Sequence, residues 1–203
     1  RMIGLKNYYW YFKQALPQKI CEDIIAVGNS YPPERGIIQG EKEGSISDAS
    51  NIRKSQVTWL TDQWIYDEIT PYINMANKNA GWNFDWNWSE SIQFTNYEPG
   101  EFYSWHSDDS KEPFGDGAHP NYKGKIRKLS VTVSLSDPNS YTGGDFELDL
   151  RNNQCGRNII TVDEVKEQGT IIVFPSFMDH QVREVRSGKR VSLVIWNLGP
   201  PWK

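Results

Sequence analysis

Apolar and polar residues alternate along most of the second half of the chain. The clearest run is 129–136, which reads Leu-Ser-Val-Thr-Val-Ser-Leu-Ser. Alternation with a period of two is typical of a β-strand that buries one face. Comparable short runs, separated by turn residues, lie at 145–150, 159–162, 170–174, 181–185 and 191–196. This regular series predicts a double-stranded β-helix, the jelly-roll or cupin-like barrel.

The first half of the chain adds helices. Helical spacing over 18–27 follows Pro17, and Gly28 with the next residue is expected to end this helix. A second helix is predicted from Trp64 to about Asn79, kinked or split at Pro71. Its apolar stripe consists of Trp64, Ile65, Ile69, Ile73 and Ala76. Further strands are expected at 6–13, 52–57 and 82–97. We therefore predict a mainly β fold whose supporting helices pack on the larger sheet.

Two polar segments interrupt the predicted elements. The first spans 31–56 and is richest in Gly, Pro, Ser and charge over 32–50, and the second spans 109–125. Long loops in a compact domain are usually functional or disordered, so each segment is interpreted as either a lid or plain surface loop. Shorter bends are expected at Gly143-Gly144 and at 152–154.

Composition limits the classes of partner. The chain has 203 residues, enough for one well-cored domain, and a net charge of −4. An acidic pI of about 5.4 does not favour nucleic acid or an anionic membrane as a partner. Mean hydropathy is −0.66, and the absence of a long apolar run predicts no transmembrane span. The two cysteines, Cys21 and Cys155, could pair, but they are expected to stay reduced, which favours a cytoplasmic location.

Candidate chemistry is concentrated at His106, Asp108 and His180. The first two stand two positions apart, which in a strand directs an imidazole and a carboxylate to one face. His180 follows an apolar run that reaches a proline and a turn. Two histidines and one carboxylate form the facial triad of non-haem Fe(II) oxygenases. The alternative is a chance pair that forms part of a surface strand or an ion pair, because His-x-Asp also occurs by chance.

Arg190 favours the metal interpretation. It opens an alternating strand in which Arg190, Ser192, Val194 and Trp196 share one face. A guanidinium is always charged and binds a carboxylate through two hydrogen bonds. Burying this charge inside a barrel is favourable only if an anion binds there. The sequence therefore predicts a site for iron together with a dicarboxylate.

These residues resemble those of the 2-oxoglutarate/Fe(II)-dependent dioxygenases, and the flanking sequence is similar to the prolyl 4-hydroxylase branch with its bacterial and viral relatives. The matching segments are 51–55, 97–108, 127–130, 143–146 and 169–196. The resemblance implies one dioxygenase domain over 1–203, with N-terminal strands and supporting helices at 1–89 and the catalytic β-helix at 90–203.

The resemblance also implies the cofactors and the roles of individual residues. Fe(II) would be held by His106, Asp108 and His180, and 2-oxoglutarate by Arg190, with O2 as oxidant and ascorbate as reductant. Tyr97, nine positions before His106, would donate its phenol to the cosubstrate, although it could equally be a packing residue. Tyr103 is the competing tyrosine. Ser192 is interpreted as either a hydroxyl donor or a small residue that fills a narrow barrel.

On the substrate side, the resemblance implies roles for Trp196 and Arg127. Trp196 matches an aromatic residue beside the iron and could also be a core residue. Arg127 matches a position that contacts the peptide, or is simply solvated at a loop–strand junction. One departure is Ser134, where many prolyl hydroxylases have a tyrosine, so the cosubstrate pocket is expected to rely more on Tyr97.

The implied activity is hydroxylation of a peptidyl proline, with succinate and CO2 released from 2-oxoglutarate. The alternatives are the same chemistry on another side chain or small molecule, and a metal-binding jelly-roll module without oxidation. A nucleic-acid substrate is not expected, because the demethylases of this superfamily typically carry a second arginine where this chain has Trp196. The expected partner is a proline-containing peptide or protein, with no nucleic acid or membrane partner.

Overall fold

Two antiparallel β-sheets face each other in this protein. The computed structural model describes residues 5–36, 51–110, 112–150 and 156–202. Within these residues the larger sheet has the strands β1 (Trp10–Phe12), β2 (Glu34–Arg35), β4 (Gln56–Leu60), β5 (Trp88–Ser89), β6 (Ile92–Tyr97), β8 (Ile126–Ser134), β12 (Ile171–Pro175) and β15 (Arg190–Gly199). The smaller sheet has the strands β3 (Arg53–Lys54), β7 (Phe102–His106), β10 (Phe146–Asp149), β11 (Ile159–Thr161) and β13 (His180–Val182). The remaining pair comprises β9 (Tyr141–Gly143) and β14 (Val185–Gly188).

Strand order confirms the predicted barrel architecture. The larger sheet runs β1-β12-β8-β15-β6-β4-β2, with β5 beside β15, and the smaller sheet runs β11-β10-β13-β7-β3. Most neighbours in space are distant in sequence, because the chain passes repeatedly from one sheet to the other, as in a double-stranded β-helix. The long alternating run lies at the centre of the larger sheet as β8, between β12 and β15.

Two helices, α1 (Gln18–Ser30) and α2 (Gln63–Asn79), pack on the outer face of the larger sheet. The predicted stripe of α2 is buried at Ile65, Ile69, Ile73 and Ala76. Against it lie the outward-facing side chains of the sheet, among them Phe94, Leu129, Val131, Val133, Leu193 and Ile195. Pro71 is accommodated inside one continuous helix. Neither helix has both the length and the apolar character required to cross a membrane.

Gly28 does not end the first helix. The helix continues to Ser30, and Gly28 is buried against the ring of Phe94 on β6. A Cβ at this position would lie 2.5 Å from the nearest ring atom. The glycine is therefore a contact point that lets the helix approach the sheet closely, and a helix-stop interpretation was wrong here. Gly81, by contrast, follows α2 with a φ of +76°, as a helix-terminating glycine does.

The strand predicted over 52–57 is two strands in different sheets. Arg53–Lys54 pairs with β7 in the smaller sheet, and Gln56–Leu60 pairs with β6 in the larger one. The chain crosses between the sheets at Ser55, whose hydroxyl accepts a hydrogen bond from the buried Arg53 side chain. The sequence pattern predicts one continuous strand through both segments. The break at Ser55 therefore depends on the partner strand with which each segment pairs.

The segment 82–97 is only partly β-strand, because strands occur at 88–89 and 92–97. Near Phe84 the backbone is held by a side chain instead of a strand. The Asn77 side chain accepts from the Phe84 N–H at 2.9 Å and donates to the Phe84 carbonyl at 2.9 Å. These bonds satisfy the backbone groups that a neighbouring strand would otherwise have used.

The loops have different outcomes. Residues 37–50, which carry most of the first candidate lid, lie outside the described residues, as do the turn at 152–154 and Cys155. The described part of 109–125 folds back on itself, because Phe114 donates to the Lys125 carbonyl and Gly124 donates to the Phe114 carbonyl. Tyr122 then packs edge-on against Trp88 at 4.7 Å. Gly143 and Gly144 form the predicted bend, with φ values of +75° and +63°.

Candidate metal centre and active site

His106 and Asp108 meet at one point, although the strand expected to carry both ends at His106. Asp108 lies beyond it, and its direction is set by the turn after β12. The N–H groups of Asp108 and Asp109 both donate to the Ser176 carbonyl, at 2.9 and 3.0 Å. His106 and Asp108 do lie together as predicted, but strand alternation is not the cause. The main-chain contact of Asp108 with the turn at Ser176 orients its carboxylate.

The three predicted metal-binding side chains converge. His180 is the register partner of His106 across β13 and β7. The Asp108 carboxylate lies between them, with Oδ1 3.6 Å from His106 Nε2 and Oδ2 3.5 Å from His180 Nε2. One ligand atom from each residue falls within a group whose members are all within 4.8 Å of one another. Two imidazoles and one carboxylate at this spacing leave one side of an ion open.

Each histidine has its other ring nitrogen occupied by the backbone. His106 Nδ1 is 2.7 Å from the Ser104 carbonyl, and His180 Nδ1 is 3.0 Å from the Met178 carbonyl. A carbonyl only accepts, so each Nδ1 carries the proton and each Nε2 presents a lone pair towards Asp108. Burial, followed by the charge of His180, lowers the pKa of His106 to about 3. For His106 both features favour neutral imidazole, the form that binds a metal.

Ser130 holds the Asp108 carboxylate directly, and Ser176 lies beside Ser130. Ser130, fully buried on β8, donates to Oδ2 at 2.7 Å, and its oxygen is 3.0 Å from the Ser176 hydroxyl. Burial alone would raise the pKa of Asp108, but the two histidines, Arg127 and Ser130 outweigh it and lower the pKa. The carboxylate is therefore ionised and oriented. Sequence reasoning assigned no role to Ser130 or Ser176, because alternation in a strand does not indicate this contact, although Ser130 ends the matching segment 127–130.

Arg190 is the largest fully buried side chain in the described part of the molecule, with 1% of its surface exposed. Its Nη1 donates to Ser192 at 3.1 Å, so Ser192 acts as a polar partner and does more than fill space. Its Nη2 is buried with no hydrogen-bond partner. No ion pair of Arg190 is found among the described residues. A buried guanidinium with an unbonded nitrogen matches the prediction that an anion binds here.

Three further groups surround Arg190. Tyr97 is its register partner across β15 and β6 and is buried. Ser134, the departure noted in the sequence, pairs with Ser192 across the strands and has a buried hydroxyl without a partner. The Tyr141 hydroxyl is also buried without a partner. A Cβ on Gly144 would lie 2.8 Å from Arg190 Cδ and 3.4 Å from the Tyr141 ring, so the two side chains flank this glycine. Tyr141 was missed, because nothing in its local sequence marks it.

Tyr103 lies against the metal-binding residues. Its ring stacks on the His106 ring, with 3.5 Å between the ring centres. The Arg53 guanidinium carbon lies over the Tyr103 ring, 4.5 Å from its centre. Burial raises the pKa of Tyr103 to about 12, so the phenol stays protonated. Arg53 is 3% exposed and also donates to Gln93. The motif at 51–55 was the signal that could have identified Arg53 as a site residue.

Arg127 is not solvated, contrary to the interpretation favoured by its place at a loop–strand junction. Only 13% of its side chain is exposed, because it forms a two-pronged pair with the buried Glu90. Its guanidinium lies 3.9 Å from the centre of the Trp196 ring. Trp196 in turn packs against the half-exposed Trp59 at 6.3 Å, and its Nε1 is buried with no hydrogen-bond partner. Trp196 therefore lines the interior beside the metal-binding residues and is also packed in the core.

These residues fit the predicted cofactors chemically. Neutral imidazoles and an ionised carboxylate suit Fe(II), and the orphaned Arg190 nitrogen suits a carboxylate at the other end of the same interior. The metal-binding groups and the anion-binding group are also shielded from water, since Asp108, His180 and Arg190 are all buried.

Comparison with known proteins supports this description. A family model described as the 2OG-Fe(II) oxygenase superfamily matches residues 92–197, just over half of the chain. A PKHD-type hydroxylase of Pseudoalteromonas atlantica is 32% identical over 105 residues, which cover 51% of this chain and 41% of that protein. A PKHD-type hydroxylase of Shewanella baltica is 32% identical over 104 residues, covering 51% and 40%. The matched region thus spans about two fifths of the length of these relatives.

Solved structures share the fold over nearly the whole chain. A Pseudomonas putida prolyl-4-hydroxylase has a TM-score of 0.65 at 18% identity, covering 95% of this chain and 93% of that one. A viral collagen prolyl hydroxylase from Paramecium bursaria Chlorella virus-1 has a TM-score of 0.63 at 19% identity, covering 96% and 97%. A prolyl hydroxylase from Trichoplax adhaerens, in complex with a hypoxia inducible factor oxygen degradation domain peptide fragment, has a TM-score of 0.63 at 15% identity, covering 95% and 84%.

Proposed function

This chain belongs to the 2OG-Fe(II) oxygenase superfamily, and we propose that it is a prolyl 4-hydroxylase acting on a peptidyl proline. The superfamily uses Fe(II), 2-oxoglutarate and O2, and ascorbate serves as a reductant for such enzymes. The finer assignment of substrate rests on the relatives, which are of PKHD and prolyl hydroxylase type.

One observation carries the proposal. The same interior contains a His-Asp-His cluster at one point and, on β15, a buried arginine with an unbonded Nη2. Either feature alone has ordinary explanations. Together they match the two demands of this chemistry, an open metal face and a fixed clamp for a dicarboxylate.

We assign the roles as follows. His106, Asp108 and His180 hold the iron, while Arg190 binds the distal carboxylate of 2-oxoglutarate with help from Ser192 and Tyr97. When bound, the metal and cosubstrate would use O2 to hydroxylate a C–H bond, one oxygen atom entering the substrate and the other entering succinate as CO2 is released. The chain itself orients these groups and keeps water away from them.

A peptide substrate is supported by the aromatic side chains around the metal-binding residues. Trp59 is 40% exposed and packs on Trp196, while Tyr103 stacks on His106. Proline-rich segments adopt an extended helix that docks in aromatic-lined grooves. The Trichoplax adhaerens neighbour was solved with a peptide bound, which is consistent with this surface.

The larger sheet takes strands from both 1–89 and 90–203, which supports our proposal that 1–203 forms a single domain. The cytoplasmic location stays a prediction that rests on cysteine usage. Cys21 is buried within α1, and burial raises the pKa of its thiol to about 11.

The test measures conversion of 2-oxoglutarate to succinate with Fe(II) and ascorbate, with and without proline-rich peptides. Mass spectrometry of the peptides should show a gain of about 16 Da, one oxygen atom, on proline. Turnover that is stimulated only by other peptides or small molecules would retain the chemistry and reject the proline substrate. No turnover, together with no 2-oxoglutarate binding to the Mn(II) form, would leave a metal-binding jelly-roll module.

A further inference from the structure

Arg127 is bonded to the protein itself in a way that a substrate-contacting residue would not require. Its Nε donates to Glu90 Oε1 at 2.6 Å, and its Nη2 donates to Glu90 Oε2 at 2.9 Å. A planar guanidinium and a carboxylate matched in this way form the strongest kind of side-chain pair. The edge of Arg127 that could clamp a peptide carboxylate is therefore already occupied.

The third nitrogen reaches a proposed metal ligand. Arg127 Nη1 donates to the main-chain carbonyl of Asp108 at 3.3 Å. The N–H of the same residue donates to the Ser176 carbonyl, and its carboxylate accepts from Ser130. Asp108 stands beyond the end of its strand, so these contacts replace the ladder bonds that would otherwise hold it. Arg127 supplies the contact on the carbonyl side.

The Glu90 end of the pair is also anchored. The Glu90 N–H donates to the Trp196 carbonyl at 2.9 Å, and Tyr66 on α2 donates to the Glu90 carbonyl at 2.8 Å. The Arg127 guanidinium carbon lies over the Trp196 ring, 3.9 Å from its centre. The pair thus links the Asp108 main chain to Trp196, two sides of the proposed iron site.

We propose that Arg127 is a positioning residue, held by Glu90, that keeps the Asp108 main chain and the Trp196 ring in place for metal and substrate. This inference rests on the proposed function for the identity of the metal. It predicts that loss of the two-pronged Arg127–Glu90 pair weakens metal binding even when no peptide is present. A residue that only contacts the peptide would leave metal binding unchanged.

The test compares Arg127→Gln, Arg127→Lys and Glu90→Gln with the wild-type chain. The affinity of the metal-free protein for Mn(II) is measured from the electron paramagnetic resonance signal of free Mn(II), and 2-oxoglutarate consumption is measured without peptide. Arg183→Lys is the matched control, because Arg183 also pairs with a glutamate, Glu147, but its side chain is 59% exposed and does not belong to the metal-binding group.

We expect Arg127→Gln and Glu90→Gln to weaken Mn(II) binding by about 10-fold, the usual effect of losing an outer partner of a metal ligand. Arg127→Lys should retain more Mn(II) affinity than Arg127→Gln, because lysine keeps the positive charge. It should still bind more weakly than the wild type, because lysine cannot make the two-pronged contact with Glu90. The control should bind Mn(II) like the wild type. Consumption of 2-oxoglutarate without peptide should fall in parallel with metal affinity.

Unchanged Mn(II) affinity in Arg127→Gln would overturn the inference. If circular dichroism shows that this variant does not fold, Arg127→Lys and Glu90→Gln decide in the same way, because both preserve side-chain volume. A wild-type chain that binds Mn(II), but whose Mn(II) form does not bind 2-oxoglutarate and whose Fe(II) form does not consume it, would instead reject the proposed function and leave the positioning test intact.

Discussion

Arg190 stands directly opposite Tyr97 in the register between β15 and β6, and its guanidinium carbon lies 5.4 Å from the centre of the tyrosine ring. The two residues are the predicted cosubstrate clamp and its phenol partner. Both are buried, and the arginine retains one nitrogen without a hydrogen bond. A buried charge that is incompletely satisfied costs stability unless a ligand completes it, so this pair links the fold to the proposed cosubstrate.

Replacing Arg190 by methionine should separate binding from stability. The loss of a buried charge partner is expected to cost about 2–5 kcal/mol of 2-oxoglutarate binding, at least a 30-fold weaker affinity. The free energy of unfolding without ligand should stay the same or rise by up to about 4 kcal/mol, because a buried charge is replaced by an apolar chain. Titration of the Mn(II) form and urea unfolding measure the two effects. Arg183→Met is the control, and a normal 2-oxoglutarate affinity in Arg190→Met would mean that another residue is the clamp.

Removing any of His106, Asp108 or His180 should eliminate metal binding and leave the domain folded. Each side chain supplies one of the three atoms in the cluster, so alanine at any position should lower Mn(II) affinity by more than about 100-fold, beyond the effect of outer-sphere partners. His119→Ala is the matched control, since His119 is exposed and lies outside the cluster. Circular dichroism checks the fold, and wild-type turnover from any of the three variants would contradict the assignment.

Ser130→Ala should weaken both the fold and the metal site. The hydroxyl donates to a buried carboxylate, and such bonds contribute about 1.5–3 kcal/mol. We expect a similar loss in the free energy of unfolding of the metal-free protein and about a 10-fold loss of Mn(II) affinity. Ser104→Ala is the comparison, because the Ser104 hydroxyl makes only a long 3.5 Å bond to the Asn51 carbonyl. Equal behaviour of the two variants would show that Ser130 does not orient Asp108.

Tyr141→Phe should affect ligand binding more than stability. Its hydroxyl is buried without a partner beside the arginine clamp, so its removal should not lower the free energy of unfolding. If the hydroxyl completes the anion pocket, 2-oxoglutarate affinity should fall about 5- to 10-fold, the value of roughly one hydrogen bond. Tyr72→Phe serves as the control, because its hydroxyl donates to the Ala15 carbonyl away from the site. A stability loss without a change in affinity would assign Tyr141 to packing alone.

Gly28→Ala should destabilise the protein without altering the site. The added Cβ would overlap the Phe94 ring, and overpacking of this kind costs about 1–3 kcal/mol. Denaturant unfolding measures the loss, and 2-oxoglutarate affinity per folded molecule should not change. Gly115→Ala is the control, since nothing lies within 4 Å of that position. Equal stability of both variants would mean that α1 can move away from the sheet at little cost.

The sequence by itself determined the architecture and the chemical identity of the site. Alternation at 129–136 and the stripe of α2 depend on which residues are apolar, and burial of apolar surface is the dominant favourable term in folding. The residue types His, Asp, His and Arg likewise carried the metal and anion chemistry before any geometry was known.

Tertiary structure decided how those groups are held. Asp108 is oriented by Ser176, Arg127 is paired with Glu90, and the chain passes from the smaller sheet to the larger one at Ser55. Each of these features is a pairing between parts of the chain that local pattern does not relate. Periodicity encodes which face of an element is buried, whereas strand register and the packing of two sheets determine which side chain faces which. The latter arise from many weak contacts formed together, so they could be read only from the folded molecule.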